Sequence, residues 1–348
     1  MGMAFTSKGQ PRRRRHLSRF AHAVRPGVFV IALILVIALP AVAVSFTPFA
    51  PAVTFVVAGA VPGFIASMYG IRLGLYTVAA TGMFIALSEL AGPWPWASSL
   101  LMAAAGLVLG WCAMKGWTAI AVQACIWCSL TLIAPPLVLT GVDWASGQLG
   151  QVAIPVSMVL VGGLWAVAIG ALLKSHLPTL SAKPLGRNVA MHYGLALSVL
   201  LGVAAFVAST WFAEATGGWL LLTILVIVRP GLSDTRSRVV SRSVGTVTGG
   251  AIAAVVGTAI ASQQILITAV AVAALVIALV LLVRKANYAV YAFALTIAVV
   301  LFNVDGSDVL TADIQRVGFT LAGALLVAVL AALHELVVRS GLKKPLSS

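Results

Sequence analysis

The chain has 348 residues, of which 61% are hydrophobic and only 9% are charged. Soluble globular domains carry about 25% charged residues, so the composition excludes a soluble protein. The formal net charge of +14 would suggest nucleic acid as the partner of a soluble protein. In a membrane protein, basic residues in short loops instead set the topology, so we expect no nucleic-acid partner.

The chain begins with a basic segment, residues 1–27, which contains the run Arg12-Arg13-Arg14-Arg15. A signal peptide is one interpretation, because an apolar stretch and small residues follow. The next residues, however, begin another apolar run, so we favour an uncleaved first span with a cytoplasmic tail. Such a tail is also suited to contact with anionic lipid headgroups.

Apolar runs of about 20 residues are typical of membrane-spanning helices, and the sequence predicts twelve of them. They cover residues 28–46, 49–69, 73–91, 97–114, 117–139, 150–173, 190–212, 218–229, 243–261, 264–283, 287–304 and 314–338. The predicted fold is therefore an all-α polytopic membrane protein with about 12 transmembrane helices.

Two parallel six-helix repeats are predicted from short local alignments. Val61-Pro62-Gly63 aligns with Arg229-Pro230-Gly231, and the same offset places Gly82 on Gly250. Because six is an even number of spans, both copies would insert in the same orientation. The predicted units are a basic tail (1–27), a first membrane repeat (28–173), a linker (174–188), a second membrane repeat (189–339) and a basic tail (340–348).

The distribution of charge predicts the orientation of the chain. In a twelve-span topology all 22 Lys and Arg residues except Arg316 fall on one side. Lys and Arg in short loops mark the cytoplasmic side. Both termini are therefore predicted to be cytoplasmic.

The most informative stretch runs from Thr223 to Gly250. Its Pro230-Gly231 pair predicts a helix break where the chain leaves the membrane. The residues that follow include a set at helical spacing, which predicts one helix face: Thr235, Arg238, Arg242, Gly245 and Gly249. Gly245-x-x-x-Gly249 and Thr246-x-x-x-Gly250 are small-residue ridges that allow two membrane helices to approach closely.

This arrangement resembles the FUSC (fusaric acid resistance) family of integral membrane transporters, most closely over residues 194–338. The matching residues are Trp219, Arg229, Pro230, Thr235, Arg238, Arg242, Gly245, Thr246 and Gly249. Asn287-Tyr288-Ala289 and Arg316 also resemble family positions. The resemblance implies a secondary transporter of the bacterial inner membrane that exports organic anions, namely aromatic carboxylates such as fusaric acid or hydroxybenzoates. It leaves a homo-oligomer open.

Four arginines are candidate residues of a substrate pathway: Arg229, Arg238, Arg242 and Arg316. Charges on a packing face need a partner or a water-filled vestibule, although a purely topological role for the first three, or contact with lipid headgroups, stays open. Arg316 lies near the outer end of its predicted span, three residues after Asp313. That pair either anchors the helix end or places a cation beside an anion path. Gly245, Thr246 and Gly249 are predicted helix-packing residues.

The sequence offers no set of residues for catalysis. It contains no Ser-His-Asp set, HExxH motif or Walker loop, so we predict no enzyme, no catalytic residue and no cofactor. Cys125-x-x-Cys128 has the spacing of a metal site, but such a site needs four ligands, so we interpret both thiols as structural. Two functions besides export stay open: a passive anion channel, and a membrane protein that assists envelope or lipid assembly.

Overall fold

The computed structural model describes residues 29, 32–133, 137, 139, 147–177, 180–212, 217–229, 232–260, 263–283, 286–302 and 309–341. The tail at 1–27, nearly all of the tail at 340–348 and the predicted break at Pro230-Gly231 lie outside these residues. The regular elements of the described part are helices. The all-α prediction is therefore confirmed for this part of the chain.

Each helix overlaps one of the predicted apolar runs. A short 3-10 turn at Ala50–Ala52 separates the first two. In chain order the helices are α1 (Ala32–Ser45), α2 (Val53–Ser67), α3 (Ile71–Ala91), α4 (Pro95–Lys115), α5 (Thr118–Leu132), α6 (Gln148–Leu172), α7 (Arg187–Trp211), α8 (Gly218–Ile227), α9 (Leu232–Ala259), α10 (Gln264–Val283), α11 (Tyr288–Phe302) and α12 (Val309–Gly341).

Six helices of the described part are long and apolar enough to cross a membrane. They are α3, α4, α6 and α7, the continuous segment Ala50–Ser67 that contains α2, and the segment Thr235–Ala259 of α9. The remaining six provide shorter apolar segments of 10–17 residues. The chain is therefore a multi-pass membrane protein, and the total of twelve spans stays a prediction.

The order of helix contacts in the first half of the chain recurs six helices later. The contact of α2 with α6 recurs as α8 with α12, and that of α3 with α6 recurs as α9 with α12. In the same way, α3 and α4 both pack on α5, and α9 and α10 both pack on α11. The halves meet where α4 packs on α7 and α5 on α8.

Glycine allows the two halves to approach closely where α4 packs on α7. A Cβ atom added to Gly110 of α4 would lie 2.6 Å from the Cα atom of Gly194 in α7, so the two backbones touch. Residues 180–186, which connect the halves, are also held to the first half. The N–H groups of Leu180 and Leu185 donate to the carbonyl oxygens of Met68 (3.1 Å) and Ala113 (3.0 Å).

The three cysteines are free thiols buried among apolar side chains. Cys125 and Cys128 are fully buried, and Cys112 is 8% exposed. Cys125 and Cys128 belong to a buried apolar cluster to which both halves contribute. They therefore pack as small hydrophobic residues.

Candidate functional site

Helix α9 supplies the inward face on which the candidate site is built. It begins at Leu232 rather than at residue 243, so the polar segment and the predicted span form one continuous helix. One side carries buried Thr235 and Arg242, which are 4% and 2% exposed. The opposite side presents apolar residues that are 44–63% exposed: Val240, Val244 and Val247. Since lipid requires apolar contact, α9 turns its polar stripe toward the protein interior.

The first turn of α9 is tied to the end of α8 by one hydroxyl group. The N–H of Arg229 donates to Oγ1 of Thr235 (3.1 Å), and the same hydroxyl donates to the carbonyl oxygen of Arg229 (3.1 Å). The Arg229 guanidinium interacts electrostatically with Tyr193 of α7. The backbone of Arg229 therefore fixes where α9 begins.

Two arginines of α9 meet two tyrosines at the beginning of α11. The Cζ atom of Arg238 lies 4.7 Å from the centroid of the Tyr288 ring, within range of a cation–π contact. The rings of Tyr288 and Tyr291 are 5.8 Å apart between centroids. Arg238 and Arg242 both interact electrostatically with Tyr291. We call Arg238, Arg242, Tyr288 and Tyr291 the inner cluster.

The inner cluster contains two buried polar atoms that lack a hydrogen bond to any described residue. Within the described residues, neither Nε of Arg242 nor the hydroxyl of Tyr288 has a hydrogen-bond partner. Arg242 is 2% exposed, and burying a charge is costly unless it is paired and hydrogen-bonded. The inner cluster therefore has the charge and the free donors to bind an anion.

Arg316 lies deeper in the protein than the sequence indicated. Helix α12 begins at Val309, so Arg316 follows about two turns, or about 10 Å, after its start. Nη1 of Arg316 donates to the carbonyl oxygen of Thr296 (3.1 Å), a residue in the middle of α11. Its Cζ atom lies 4.3 Å from the ring centroid of Trp219 in α8. The side chain of Asp313 is outside the described part, so the predicted pair with Arg316 stays a prediction.

The glycines of α9 allow it to lie directly on α11. A Cβ atom on Gly245 would lie 2.6 Å from the carbonyl oxygen of Ala289, and one on Gly249 would lie 2.7 Å from that of Phe293. Neighbouring Thr246 is fully buried. This close approach brings the arginines of α9 to α11, because a larger residue at either glycine would push the helices apart.

The inner cluster and Arg316 belong to the same group of four helices, α8, α9, α11 and α12. Gly249 of α9 lies beside Thr296, whose carbonyl binds Arg316. Arg242 precedes Gly249 by seven residues, so the two arginine levels are about 10 Å apart along α9.

Sequence reasoning found the arginines but missed most of their partners. Tyr288 stands in a tripeptide that resembles the family, and no sequence pattern marks Tyr291 or Thr296. The spacing of polar and small residues along α9 predicts which side of this helix points inward. It does not predict that α11 is the helix packed against that side.

Comparison with known proteins adds one finding. The family described as fusaric acid resistance protein-like matches residues 200–331, which include the four candidate arginines, the inner cluster and Trp219. No curated protein and no solved structure gives a significant match. The resemblance predicted from the motif around α9 is thereby confirmed for the second half of the chain.

Proposed function

We propose that this protein, whose residues 200–331 match the family described as fusaric acid resistance protein-like, is a secondary transporter that exports organic anions. The substrates would be aromatic carboxylates, bound in turn by the inner cluster and by Arg316. The sequence contains no nucleotide-binding motif, so the proposed driving force is the proton gradient or the membrane potential. No bond is made or broken in this function.

The buried guanidinium of Arg242 carries the proposal. Ionisable residues inside the membrane are costly, and they commonly mark the path of an ion or substrate. Arg242 is 2% exposed, and its Nε lacks a hydrogen-bond partner in the described part of the chain. A carboxylate would supply both the charge and the acceptor, because its geometry matches the planar fork of arginine.

The arrangement around Arg242 supports a path along which an anion moves, rather than a single binding site. Arg316 provides a second cation about 10 Å further along α9, and each arginine level has an aromatic ring beside it. A carboxylate that leaves water needs cations or dipoles to replace its hydration. Two cations placed one after the other along the helices, each beside an aromatic ring, suit an aromatic anion that passes from one cation to the next.

The proposal includes the architecture and orientation of the chain. We place twelve spans in two parallel repeats, residues 28–173 and 189–339, joined by the cytoplasmic linker 174–188. The recurring order of helix contacts supports the two repeats. The charge distribution supports cytoplasmic termini in a bacterial inner membrane, with the basic tail 1–27 against anionic headgroups.

Flux of labelled benzoate into proteoliposomes, with and without a proton gradient, tests the function. We expect gradient-dependent flux, and a decrease of about tenfold or more in Arg242→Gln and Arg316→Gln at equal protein level. The corresponding Lys variants should recover only part of the flux, because lysine lacks the planar fork. Arg72→Gln is the matched control, since Arg72 is exposed at the start of α3.

If both Gln variants transport at the wild-type rate, the arginines only orient the chain in the membrane, and the proposal is contradicted. Flux that follows the anion gradient with no effect of the proton gradient or of the membrane potential would instead indicate a passive channel.

Cysteine labelling of intact cells tests the orientation. Gly147 and Ser181 are exposed and lie at opposite ends of α6. The native thiols are buried, so they should contribute little background. A membrane-impermeant reagent should label Gly147→Cys but not Ser181→Cys, and the opposite pattern would contradict cytoplasmic termini.

A further inference from the structure

Four buried threonines in the second half have hydroxyl groups that bond to nothing in the described part of the chain. Each is fully buried, and the Oγ1 atom of each lacks a hydrogen-bond partner there. We call these residues the threonine belt: Thr223 of α8, Thr246 of α9, Thr296 of α11 and Thr320 of α12.

The buried threonines of the first half, in contrast, have hydrogen-bonded hydroxyl groups. Oγ1 of Thr77 donates to the carbonyl oxygen of Leu73, and Oγ1 of Thr81 donates to that of Thr77, each at 2.8 Å. A threonine in a helix usually satisfies its hydroxyl in this way. The hydroxyls of the threonine belt leave their own helix carbonyls unused, so a bound polar group would relieve the cost of burying them.

The threonine belt lies among the helices that carry Arg316 and the inner cluster. Thr320 follows Arg316 by one turn on α12, and Thr223 follows Trp219 by one turn on α8. A Cβ atom on Gly323, one turn after Thr320, would lie 3.1 Å from Cβ of Thr223. These two threonines are therefore neighbours, about 6 Å further along the helices than the contact of Arg316 with Trp219.

The other two members connect this level to α9. Thr296 provides the carbonyl that binds Arg316, and its Cβ would lie 3.0 Å from a Cβ atom on Gly249. Thr246 precedes Gly249 by three residues and follows Arg242 by four, so along α9 it lies between the two arginine levels. An anion held by Arg316 would thus have uncharged donors and acceptors within one helical turn.

We propose that the threonine belt is a neutral subsite that selects organic anions carrying a second hydrogen-bonding group about one helical turn from the carboxylate. The inference rests on the proposed function, since the belt acts on an anion bound at Arg316. A hydroxyl can donate and accept, so phenol, amine and amide substituents all qualify. A site built to hydrogen-bond a substrate group disfavours an analogue that lacks it, because its buried polar atoms then stay unpaired.

Two acids of similar shape provide the test: 4-aminobenzoate and 4-methylbenzoate. We would measure binding of each labelled acid to the purified full-length protein, and flux of each into proteoliposomes. In the wild type we expect 4-aminobenzoate to bind at least tenfold more tightly. In the double variant Thr223→Val/Thr320→Val the two acids should bind about equally tightly. The affinity for 4-methylbenzoate should stay unchanged.

Thr81→Val is the matched control, because it is a buried threonine whose hydroxyl is satisfied within its own helix. It should keep the wild-type preference. Valine has nearly the shape of threonine, so the melting temperature of the double variant should be at or above that of the wild type.

The inference is overturned if the wild type binds the two acids equally, or if the double variant weakens both by the same factor. The second result would mean that the hydroxyls stabilise the fold, by hydrogen bonds to each other or to buried water. Selective binding without flux of either acid would support the subsite and overturn the transport function alone. Failure of the wild type to bind either acid would overturn both.

Discussion

In the first half of the chain, α2 meets α6 through glycine and valine, whereas α8 meets α12 through tryptophan, threonine and arginine. A Cβ atom on Gly59 of α2 would meet the backbone of Val159 in α6, and one on Gly162 of α6 would meet the backbone of Val56 in α2. At the recurring contact of the second half, Arg316 stacks on Trp219. The recurring contact therefore includes a charged side chain in the second half, whereas α2 and α6 contain none.

The difference extends to the basic residues. Arg72 at the start of α3 is exposed, whereas Arg242 of α9 is 2% exposed. An exposed arginine at a helix end orients a span at little cost, while a buried one costs several kcal/mol of desolvation. The second half thus retains a buried cation whose desolvation cost calls for a functional explanation. The family match to residues 200–331 falls on this second half.

The largest expected effect concerns the glycines that set helix spacing in each half. Gly249→Ala should lower the free energy of unfolding by about 1–3 kcal/mol, because its Cβ would lie 2.7 Å from the carbonyl oxygen of Phe293. Gly249→Leu should leave little folded protein. Gly82→Ala in α3 should be neutral or stabilising by up to about 1 kcal/mol, since its Cβ would lie 3.7 Å from Val156.

Thermal melting of the purified variants in detergent provides the measurement. If the Ala variants of Gly249 and Gly82 lower the melting temperature equally, the two positions are packed equally tightly. That result would contradict the close approach of α9 to α11.

The second expected effect separates stability from transport at the inner cluster. Arg242→Met keeps an unbranched apolar stem and removes a buried charge, so we expect the free energy of unfolding to rise by about 1 kcal/mol or more. Flux of organic anion should fall at least tenfold in the same variant. Melting temperature and initial flux are both measured, and Arg72→Met serves as the first-half control. A variant that melts earlier would show that Arg242 holds the helices together.

Much of the fold follows from the sequence because lipid imposes a simple rule on the chain. Apolar runs long enough to cross the bilayer become helices, and α10 begins and ends at the residues predicted for its span. The predicted span at 243–261 starts inside α9, which begins at Leu232, because hydropathy marks where a helix enters lipid rather than where its hydrogen bonds begin. The same reason explains why α12 begins at Val309, before the predicted residue 314. The helical spacing from Thr235 to Gly249 indicates the earlier turns of α9.

The candidate site was only half predictable. Helical spacing identified the inward face of α9, since it depends on the backbone repeat alone. The partners of that face lie on other helices, and Thr223, Thr296 and Thr320 are single threonines in apolar helices without any motif. Most such threonines bond to their own helix, as Thr81 does. Only the structure distinguishes a satisfied hydroxyl from one that is left without a partner.

A third prediction concerns the ring that lies beneath Arg316. Trp219→Leu removes the cation–π contact, which is worth about 0.5–2 kcal/mol, and keeps an apolar side chain in place. We expect flux to fall by about threefold to tenfold. The control is Trp111→Leu in α4, whose ring is 51% exposed and contacts Trp117 instead of a cation. Unchanged flux in Trp219→Leu would mean that the ring does not position Arg316.

The smallest expected effect distinguishes the ring of Tyr288 from its hydroxyl. Tyr288→Phe keeps the ring on which Arg238 lies and removes a hydroxyl that has no hydrogen-bond partner within the described residues. Removing an unsatisfied buried hydroxyl should not lower stability, so the melting temperature should stay level or rise. Flux should change less than about threefold if the ring matters most, whereas Tyr288→Leu should reduce it further. If Phe lowers flux as strongly as Leu, the hydroxyl binds the anion directly, and the inner cluster offers a donor from α11 as well as its two cations.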